Sequence, residues 1–332
     1  MRKLPPLDEA MKSIRDYGKD VKLTGIKDTD LLILKELDDK DLFQMCLVNK
    51  AVNRACKDEN FWRERFIKTF EDLSKYKLET ESWRKYYLKF SFYTNKYTTS
   101  QHLIRHACFI GDLSLVVYSV IKNPGSATAS NNLPLHLANQ GEYYEIMKYL
   151  ILNGADVNIN NGTILVWISA YGALDMVIFL VEHGADIQIQ NNLALRWAAK
   201  RNKIDIVKYL IEKGANLHEQ NEEVLRWFSK RGDLEMVKYL INLRALPIPE
   251  SNAVENAIAG GHLQLVEYLI DAGFDTIYNL DPVYLMKVAV NSFSLPVVKY
   301  LYGKGYPLSK ELIEEAKKNK YTEIADFLQT KL

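Results

Sequence analysis

Cysteine is scarce in this chain, and its spacing indicates no cross-linked framework. Three cysteines occur among 332 residues, at Cys46, Cys56 and Cys108. The number is odd and no CxxC pair is present, whereas disulfide-rich secreted domains carry even sets of cysteines. We therefore expect reduced thiols and an intracellular protein.

A strong charge of either sign is also missing. The net charge is +1, with 21 Lys and Arg against 17 Asp and Glu in residues 1–100 and 22 against 25 in residues 101–332. Nucleic-acid-binding domains are usually distinctly basic. The composition therefore predicts no nucleic-acid partner.

Long apolar segments are lacking as well. The first residues, MRKLPPLDEAMKSIRD, contain no apolar h-region, so no secretory signal is expected. The stretch Val157–Leu174 is uncharged over 18 residues, which approaches the length of a membrane span. It contains Asn158, Asn160 and Asn161, however, and we interpret it as a loop followed by a buried helix. No membrane association is predicted.

The motifs of common catalytic sites do not occur. The chain has no GxxxxGK, no GxGxxG and no nucleophile elbow. His102, His106 and Cys108 are close enough in sequence to suggest metal ligands, but no suitably spaced fourth ligand accompanies them. We predict packing or surface positions for these three, and we expect no enzymatic activity, no cofactor and no metal.

What the chain does contain is a recurring nine-residue phrase. Its clear copies are EYYEIMKYL at 142–150, GALDMVIFL at 172–180, NKIDIVKYL at 202–210, GDLEMVKYL at 232–240 and GHLQLVEYL at 261–269. Fainter copies end at Ser119, Leu301 and Leu328. A period near 30 residues with a helical apolar pattern is typical of a stacked solenoid. The predicted fold is therefore all-α.

Each unit is predicted to be a helical hairpin. A polar residue precedes the first helix, where its side chain can accept hydrogen bonds from free backbone N–H groups. These predicted N-caps are Asn131, Asn161, Asn191, Asn221, Ser251, Asp281 and Ser309. Glycine, as at Gly214, follows the second helix, where a left-handed residue ends the helix without strain.

Aromatic residues recur at two positions of the unit. One position lies in the second helix, at Tyr118, Tyr149, Phe179, Tyr209, Tyr239, Tyr268, Tyr300 and Phe327. The other lies in the first helix, at Trp167, Trp197 and Trp227, in line with Leu137. Because large aromatic rings contribute most to packed cores, we predict that both sets pack between neighbouring hairpins. Stacking of a ligand on the tryptophans is the less favoured alternative.

Residues 99–332 resemble the ankyrin-repeat family. The family's TPLHxAA segment is similar to residues 133–138, LPLHLA, and its GADxN segment to residues 154–158, GADVN. The resemblance implies helical hairpins that form a protein-binding groove, and the copies of the phrase predict about eight of them. Because both apolar ends of the stack are expected to be covered, we predict a monomer. The short unit and the KYL-rich phrase are similar to the ankyrin proteins of giant DNA viruses, which implies the host cytoplasm or nucleus as the location and a host–virus interaction.

Basic pairs occupy the same two positions in adjacent units, at Lys200-Arg201 and Lys230-Arg231, where earlier units carry Gln140 and Tyr171. In ankyrin arrays these positions face the groove, so the resemblance assigns all six residues to target binding. Two interpretations remain open. The cations form either a solvated charge run or a patch that recognises an acidic segment of a partner.

The N-terminal part contains short apolar stripes separated by polar breaks. The first stripe is Leu31, Leu34 and Leu37, and a second begins at Leu42 after the polar segment 38–41. A Phe-Trp pair follows at residues 61–62. This pattern predicts a compact set of short helices.

Residues 25–65 resemble the F-box family. Its motifs have counterparts in ILKEL at 33–37, DL at 41–42, CLVNK at 46–50 and FW at 61–62, although Ile26-Lys27 stands near the place of the leading Leu-Pro. The resemblance implies docking onto the Skp-type adaptor of a cullin–RING ubiquitin ligase. By analogy the adaptor-binding residues are Leu31, Leu34, Leu37, Leu42, Val48 and Trp62. The alternative is that these side chains form the module's own core, since a small domain needs nearly all its apolar residues inside.

These observations predict four parts, namely an N-terminal tail (1–24), the F-box-like module (25–65), an aromatic-rich helical connector (66–98) and the ankyrin array (99–332). The favoured function is a substrate receptor that links a target in the ankyrin groove to a ligase adaptor. The alternative is an ankyrin scaffold or decoy that sequesters a host protein and has no ligase role.

Overall fold

The computed structural model describes residues 34–48, 50–70, 73–218, 220, 222–243, 245 and 251–331. These residues form helices and connecting turns, with no strand among them. The chain divides into two compact units, Met1–Asp156 and Val157–Leu332. No helix within the described ranges has the length and apolar character needed to cross a bilayer.

Besides the helical residues 34–36, the described part of the first unit contains three short helices, a connector helix and two hairpins. Its helices are α1 (Asp39–Val48), α2 (Lys50–Ala55), α3 (Glu59–Phe70), α4 (Trp83–Lys96), α5 (Ser100–Ile110), α6 (Leu113–Lys122), α7 (Ala129–Gln140) and α8 (Tyr144–Leu152). Helix α3 packs on α4, and the hairpins α5–α6 and α7–α8 pack side by side.

The second unit contains six hairpins and one short helix, α17. Its helices are α9 (Ile159–Tyr171), α10 (Leu174–Glu182), α11 (Ile189–Lys200), α12 (Ile204–Glu212), α13 (Glu223–Arg231), α14 (Leu234–Asn242), α15 (Ala253–Ala259), α16 (Leu263–Asp271), α17 (Phe274–Ile277), α18 (Pro282–Asn291), α19 (Leu295–Gly303), α20 (Lys310–Lys318) and α21 (Thr322–Gln329). Each first helix packs on the first helix of the next hairpin. With the two hairpins of the first unit, the described residues confirm the all-α prediction of about eight hairpins.

The core of each hairpin is built from the recurring phrase. In α12, Ile206, Val207 and Leu210 are buried, because residues at i, i+1 and i+4 fall on one side of a helix. Equivalent triplets are buried in α14 and α16. A single hairpin cannot cover this face, so the neighbouring hairpin does.

The ends of the second helices follow the glycine prediction. Gly184, Gly214 and Gly305 have φ values of 90°, 94° and 88°. At Gly214 the next residue, Ala215, donates its N–H to the carbonyl of Leu210 at 2.9 Å, which is the bond pattern of a Schellman motif.

The predicted N-caps are wrong at several hairpins. Asn131, Asn161 and Asn191 have φ values of 57°, 56° and 57°, and they lie inside a left-handed turn rather than at an extended N-cap. Asn combines a strong capping preference with the best tolerance of positive φ among non-glycine residues, so the sequence does not distinguish these roles. Asp281 does cap α18, where its carboxylate accepts from Val283 N–H at 2.9 Å.

The remaining predicted N-caps differ among themselves. The Ser251 hydroxyl accepts from Ala253 N–H at 3.3 Å, Ser309 makes no side-chain cap, and Asn221 lies outside the described residues. In the left-handed turns the following asparagine bonds to the loop before the next unit. Asn132 Oδ1 accepts from Asp156 N–H at 3.0 Å, and Asn192 Oδ1 accepts from Asn216 N–H at 2.9 Å.

The aromatic residues of the second helices lie at the outer boundary between hairpins and are partly exposed. Lys208 Nζ lies 5.7 Å from the ring centroid of Tyr239 in the next hairpin, and Lys238 Nζ lies 5.7 Å from that of Tyr268. These rings therefore contribute cation–π contacts between neighbouring hairpins. They lie outside the centre of the core.

The cysteines differ from the sequence expectation of reduced thiols. Cys46 in α1 and Cys56 after α2 are joined as a disulfide, with Cα atoms 6.0 Å apart. The short helices α1 and α2 fold back on each other, which brings together two residues separated by ten positions. Cys108 is free and buried, and burial raises the pKa of its thiol to about 12.

Candidate interaction surfaces

Hydrogen bonds between side chains and the backbone hold the N-terminal module together. Asp38 Oδ1 accepts from Asp41 N–H at 2.8 Å and fixes the start of α1. Asn53 donates its side-chain amide to the Cys46 carbonyl at 2.8 Å, and the Trp62 indole donates to the Cys56 carbonyl at 2.8 Å. The three helices therefore form one module in which Trp62 is a central packing residue.

Three of the six predicted adaptor-binding residues are buried inside this module. Leu34, Leu42 and Trp62 are 1%, 0% and 0% exposed, which favours the core alternative for these three. Leu37 is partly exposed. Leu31 and the side chain of Val48 lie outside the described residues. Adaptor contact stays a prediction for all six.

Among the described side chains of the module, the most exposed apolar one is a leucine that the sequence interpretation passed over. Leu47 in α1 is 81% exposed, although it belongs to the CLVNK stretch that resembles the F-box. Its neighbour Cys46 is buried, because adjacent residues of a helix point about 100° apart. The helical phase relative to Leu42 was the available signal.

A charged clasp joins the module to the connector helix. Asp39 Oδ1 accepts from Arg65 Nη2 at 2.8 Å, and the carboxylate also accepts from the hydroxyls of Tyr87 and Ser91 on α4. Arg65 Nη2 donates to the Leu37 carbonyl at 2.7 Å. Burial opposes ionisation of Asp39, but these bonds outweigh it, and the pKa of its carboxyl lies below the ordinary value.

An aromatic cluster continues from the connector into the first hairpin. Phe70 of α3 and Phe90 of α4 both contact Tyr118 of α6, with ring centroids 5.9 and 5.7 Å away. Lys89 Nζ also pairs with Asp112 Oδ2 at 2.9 Å, and Asp112 caps α6 by accepting from Leu115 N–H at 3.1 Å. The F-box-like helices, the connector and the first hairpin thus share one continuous set of contacts.

A second surface lies on the first helices of the second unit, at the ends of α9, α11 and α13. We call it the cation–aromatic ridge. It consists of Trp167, Tyr171, Trp197, Lys200, Arg201, Trp227, Lys230 and Arg231. The tryptophan prediction is wrong in part here, because Trp167 is 45% exposed and Trp197 and Trp227 are half-buried.

Cations of the ridge lie against its rings. Lys200 Nζ is 4.6 Å from the Trp197 ring centroid and 5.4 Å from that of Trp227. Arg201 Cζ is 4.9 Å from the Tyr171 ring, and its Nη2 donates to the Tyr171 hydroxyl at 3.0 Å. Tyr171 thus contacts a cation of the next hairpin, and Trp227 contacts a cation of the preceding one. These contacts connect α9, α11 and α13.

Arg231 does not point outwards as the other three cations do. Its Nη1 donates to the Ala199 carbonyl at 2.8 Å, and its Nη2 donates to the Lys200 carbonyl. These carbonyls belong to the last turn of α11, beyond which the helix supplies no further i+4 donors. The Ala199 carbonyl also accepts from the N–H of Asn202 in the following turn at 3.0 Å. Arg231 therefore supports the end of the preceding helix, a role that the sequence pattern did not reveal.

The other predicted groove residues occupy different settings. Tyr171 is 46% exposed, and Lys200, Arg201 and Lys230 are exposed. Gln140 ends α7 in the first unit and is exposed there. Target contact stays a prediction for each of them.

The histidines considered as metal ligands are part of an aromatic contact. His106 lies between Tyr93 and Tyr97, with ring centroids 4.9 and 5.0 Å away, and burial lowers its pKa. His102 is exposed. In the described ranges, no group of three or more His, Cys, Asp and Glu side chains is placed to hold a metal ion.

Comparison with protein-family models identifies both predicted resemblances. Ankyrin repeats match in three overlapping copies, at residues 103–191, 133–221 and 195–281, which together span more than half of the chain. An F-box domain matches residues 31–64. A search of curated proteins gives no match. The similarity to viral ankyrin proteins stays a prediction.

Proposed function

This chain belongs to the ankyrin-repeat family and also carries an F-box domain, and we propose that it is a substrate receptor of a cullin–RING ubiquitin ligase. In this role the F-box module binds a Skp-type adaptor and the ankyrin hairpins bind a target protein. Both are protein–protein contacts, and neither needs bond chemistry by the chain itself.

The observation that carries this proposal is the physical connection between the two kinds of module. Asp39 of the clasp attaches the F-box helices to α4 by accepting from the hydroxyls of Tyr87 and Ser91. The rings of Phe70 and Phe90 attach α3 and α4 to Tyr118 in the first hairpin. A receptor of this type contributes proximity, because holding a target near the transferred ubiquitin replaces a bimolecular encounter with an intramolecular one.

The adaptor surface that we propose differs from the set given by analogy. Leu34, Leu42 and Trp62 are enclosed, so their replacement would act on folding first. Leu47 is the strongly exposed leucine of α1, and an exposed leucine on a folded helix is available to a partner without any rearrangement. We therefore assign the centre of the adaptor contact to Leu47. We include the partly exposed Leu37 as a second residue of this contact.

The test measures binding of a purified Skp-family adaptor to the full chain by isothermal titration calorimetry. The variant is Leu47→Asp, and the matched control is Leu78→Asp, since Leu78 is also an exposed leucine of the first unit, at 67%. We expect Leu47→Asp to weaken binding at least about tenfold, because loss of one apolar contact and burial of a charge exceed about 1.4 kcal/mol. Leu78→Asp should leave the affinity unchanged.

The unfolding temperature of each variant is compared with that of the unmodified chain, so that a loss of binding can be separated from a loss of folding. Both substitutions are at exposed positions, where effects on stability are usually small. If the unmodified chain does not bind the adaptor, the receptor proposal is wrong, and a scaffold or decoy without a ligase role takes its place. If both variants bind as tightly as the unmodified chain, the assignment to Leu47 is wrong.

A further inference from the structure

The three outward cations of the cation–aromatic ridge have no carboxylate partner within the described part of the chain. Among the residues that the structure describes, no carboxylate pairs with Lys200, Arg201 or Lys230 within 4.0 Å. Their neighbours are different, because Arg196 and Arg226 both pair with Glu223 on α13. Two neighbouring arginines are therefore neutralised, whereas the three outward cations of the ridge are left available to a partner.

These cations are also held in place before any ligand arrives. Arg201 is fixed by the ring and hydroxyl of Tyr171, and Lys200 by two tryptophan rings. Lys230 Nζ lies 5.7 Å from the Trp227 ring. Long basic side chains lose about 0.5–1.5 kcal/mol each in conformational entropy when a ligand orders them. Because the rings already restrict these side chains, the entropy cost is smaller here, and the ridge is preorganised for binding an anion.

The backbone beneath the cations is supported as well. Arg231 holds the carbonyls of Ala199 and Lys200, and His262, with its Nε2 protonated, donates to the Lys230 carbonyl at 3.0 Å. Each hairpin thus fixes the end of the first helix before it, which sets the spacing between the outward cations. A surface charge run that served solubility alone would need none of these supports.

We propose that the ridge binds an extended acidic segment of a target protein, with carboxylates of that segment on Lys200, Arg201 and Lys230. Arg231 acts as a positioning residue. The aliphatic parts of the segment lie on the exposed surface of Trp167 and on the rims of the other rings. This proposal rests on the proposed function in one respect, namely that the bound segment belongs to a target of the ligase. The contact itself does not depend on adaptor binding.

Single-stranded nucleic acid is the other anion that cations and aromatic rings bind together, through bases stacked on the rings. The ridge is poorly arranged for stacking, because Lys200 and Arg201 already lie over Trp197, Trp227 and Tyr171. At these three rings a base would have to displace the cation that binds its phosphate. Carboxylates approach the cations from outside and leave these contacts intact.

The experiment uses the full chain and a short fluorescein-labelled peptide of alternating Glu and Ser. A matched peptide of alternating Gln and Ser and a labelled single-stranded oligothymidine are the comparison probes. Binding is followed by fluorescence anisotropy at increasing NaCl. We expect the Glu peptide to bind at least about tenfold more tightly than the Gln peptide, and the difference to shrink as salt screens the charges.

Two triple variants distinguish an effect of the ridge from an effect of the overall net charge. The test variant is Lys200→Glu/Arg201→Glu/Lys230→Glu. The control, Lys208→Glu/Lys213→Glu/Lys299→Glu, makes the same change in net charge at exposed lysines outside the ridge. The ridge variant should lose about tenfold or more in affinity for the Glu peptide, since reversal of three charge contacts of about 0.2–1 kcal/mol each reaches that size. The control should lose less than about twofold.

Three results would overturn the proposal. They are equal affinity for the Glu and Gln peptides, an equal loss in the ridge and control variants, and oligothymidine that binds more tightly than the Glu peptide and displaces it. Adaptor binding measured on the same ridge variant keeps the two proposals apart. A chain that binds the Glu peptide but not the adaptor would remove the receptor function and leave the ridge assignment standing.

Discussion

Asp39 at the start of α1 accepts a hydrogen bond from Arg65 Nη2 on α3 at 2.8 Å, and the same carboxylate accepts from Tyr87 and Ser91 on α4. One acidic side chain thereby connects three helices that are distant in sequence. The Arg65 side chain is only 6% exposed, so its charge depends on this partner. Several expectations about the N-terminal module follow from this geometry.

Replacing Asp39 with Asn should destabilise the module by about 2–3 kcal/mol, somewhat below the range for fully buried pairs, because Asp39 is partly exposed and Arg65 keeps its carbonyl acceptors. The measurement is urea unfolding of the full chain, followed by tryptophan fluorescence, which reports on Trp62 and Trp83 among others. The matched control is Asp41→Asn, which makes the same charge change on the same helix without a role in the clasp. We expect about 0.5 kcal/mol or less there. Equal losses in the two variants would show that the clasp contributes nothing specific.

The contribution of Asp39 should depend on pH. The folded pKa of its carboxyl is lowered from the ordinary value, so the stabilisation is fully present above the unfolded pKa of about 4 and is lost as the pH falls through the lower folded value. The difference in unfolding free energy between the unmodified chain and Asp39→Asn should therefore be constant from about pH 7 to 5 and shrink below about pH 4. A difference that grows on acidification would contradict this assignment.

Gly232 should be hard to replace because of His262. It has a φ of 74°, and a Cβ built on it would lie 2.4 Å from His262 Cγ. Gly232→Ala should therefore destabilise the second unit by about 1–3 kcal/mol, from positive φ together with the clash. Thermal or urea unfolding measures the change.

Two controls separate these causes. Gly303→Ala, at a glycine with ordinary φ and nothing within 4 Å of its built Cβ, should be neutral or stabilise by up to about 1 kcal/mol. Combining Gly232→Ala with His262→Ala should remove the clash and cost less than the sum of the single changes. Strict additivity would mean that His262 does not limit position 232.

The Cys46–Cys56 disulfide can be tested by counting the reactive thiols of the chain. Chain purified without reductant and unfolded in guanidinium should show one reactive thiol, that of Cys108, and three after reduction, the number of cysteines in the sequence. Reduction should also lower the stability of the N-terminal module by about 2–3 kcal/mol, the usual effect of a link that closes a short loop. Three reactive thiols without reductant would restore the sequence expectation of reduced cysteines.

The hairpin architecture could be predicted from the sequence because its signals are local and repeated. Gly214 needs a left-handed conformation, and Ile206, Val207 and Leu210 need one common face, so each copy carries the same evidence. The left-handed turn at Asn191 was missed since the same residue type favours both an N-cap and positive φ. Only the backbone path into the next unit distinguishes them.

The interaction surfaces were predictable only in outline. The basic pairs are visible in the sequence, but Arg231 and Lys230 are adjacent and of the same charge, and only packing on α11 makes one of them a backbone support. In the N-terminal module, Leu42 and Leu47 are equally apolar, yet one is buried and the other exposed. The helical phase separates these two positions, but which side of α1 faces the interior is decided by the elements that α1 packs against.

The most direct measurement of the whole account is a sequential binding experiment on a biosensor surface. Purified Skp-type adaptor is immobilised, the full chain is captured on it, and the Glu-Ser peptide is then applied. We expect the peptide to bind only when the chain is present. The ridge variant should be captured normally and bind the peptide at least about tenfold more weakly, and Leu47→Asp should be captured at least about tenfold more weakly. Failure of the adaptor to capture the unmodified chain, or release of the chain by the peptide, would contradict the account.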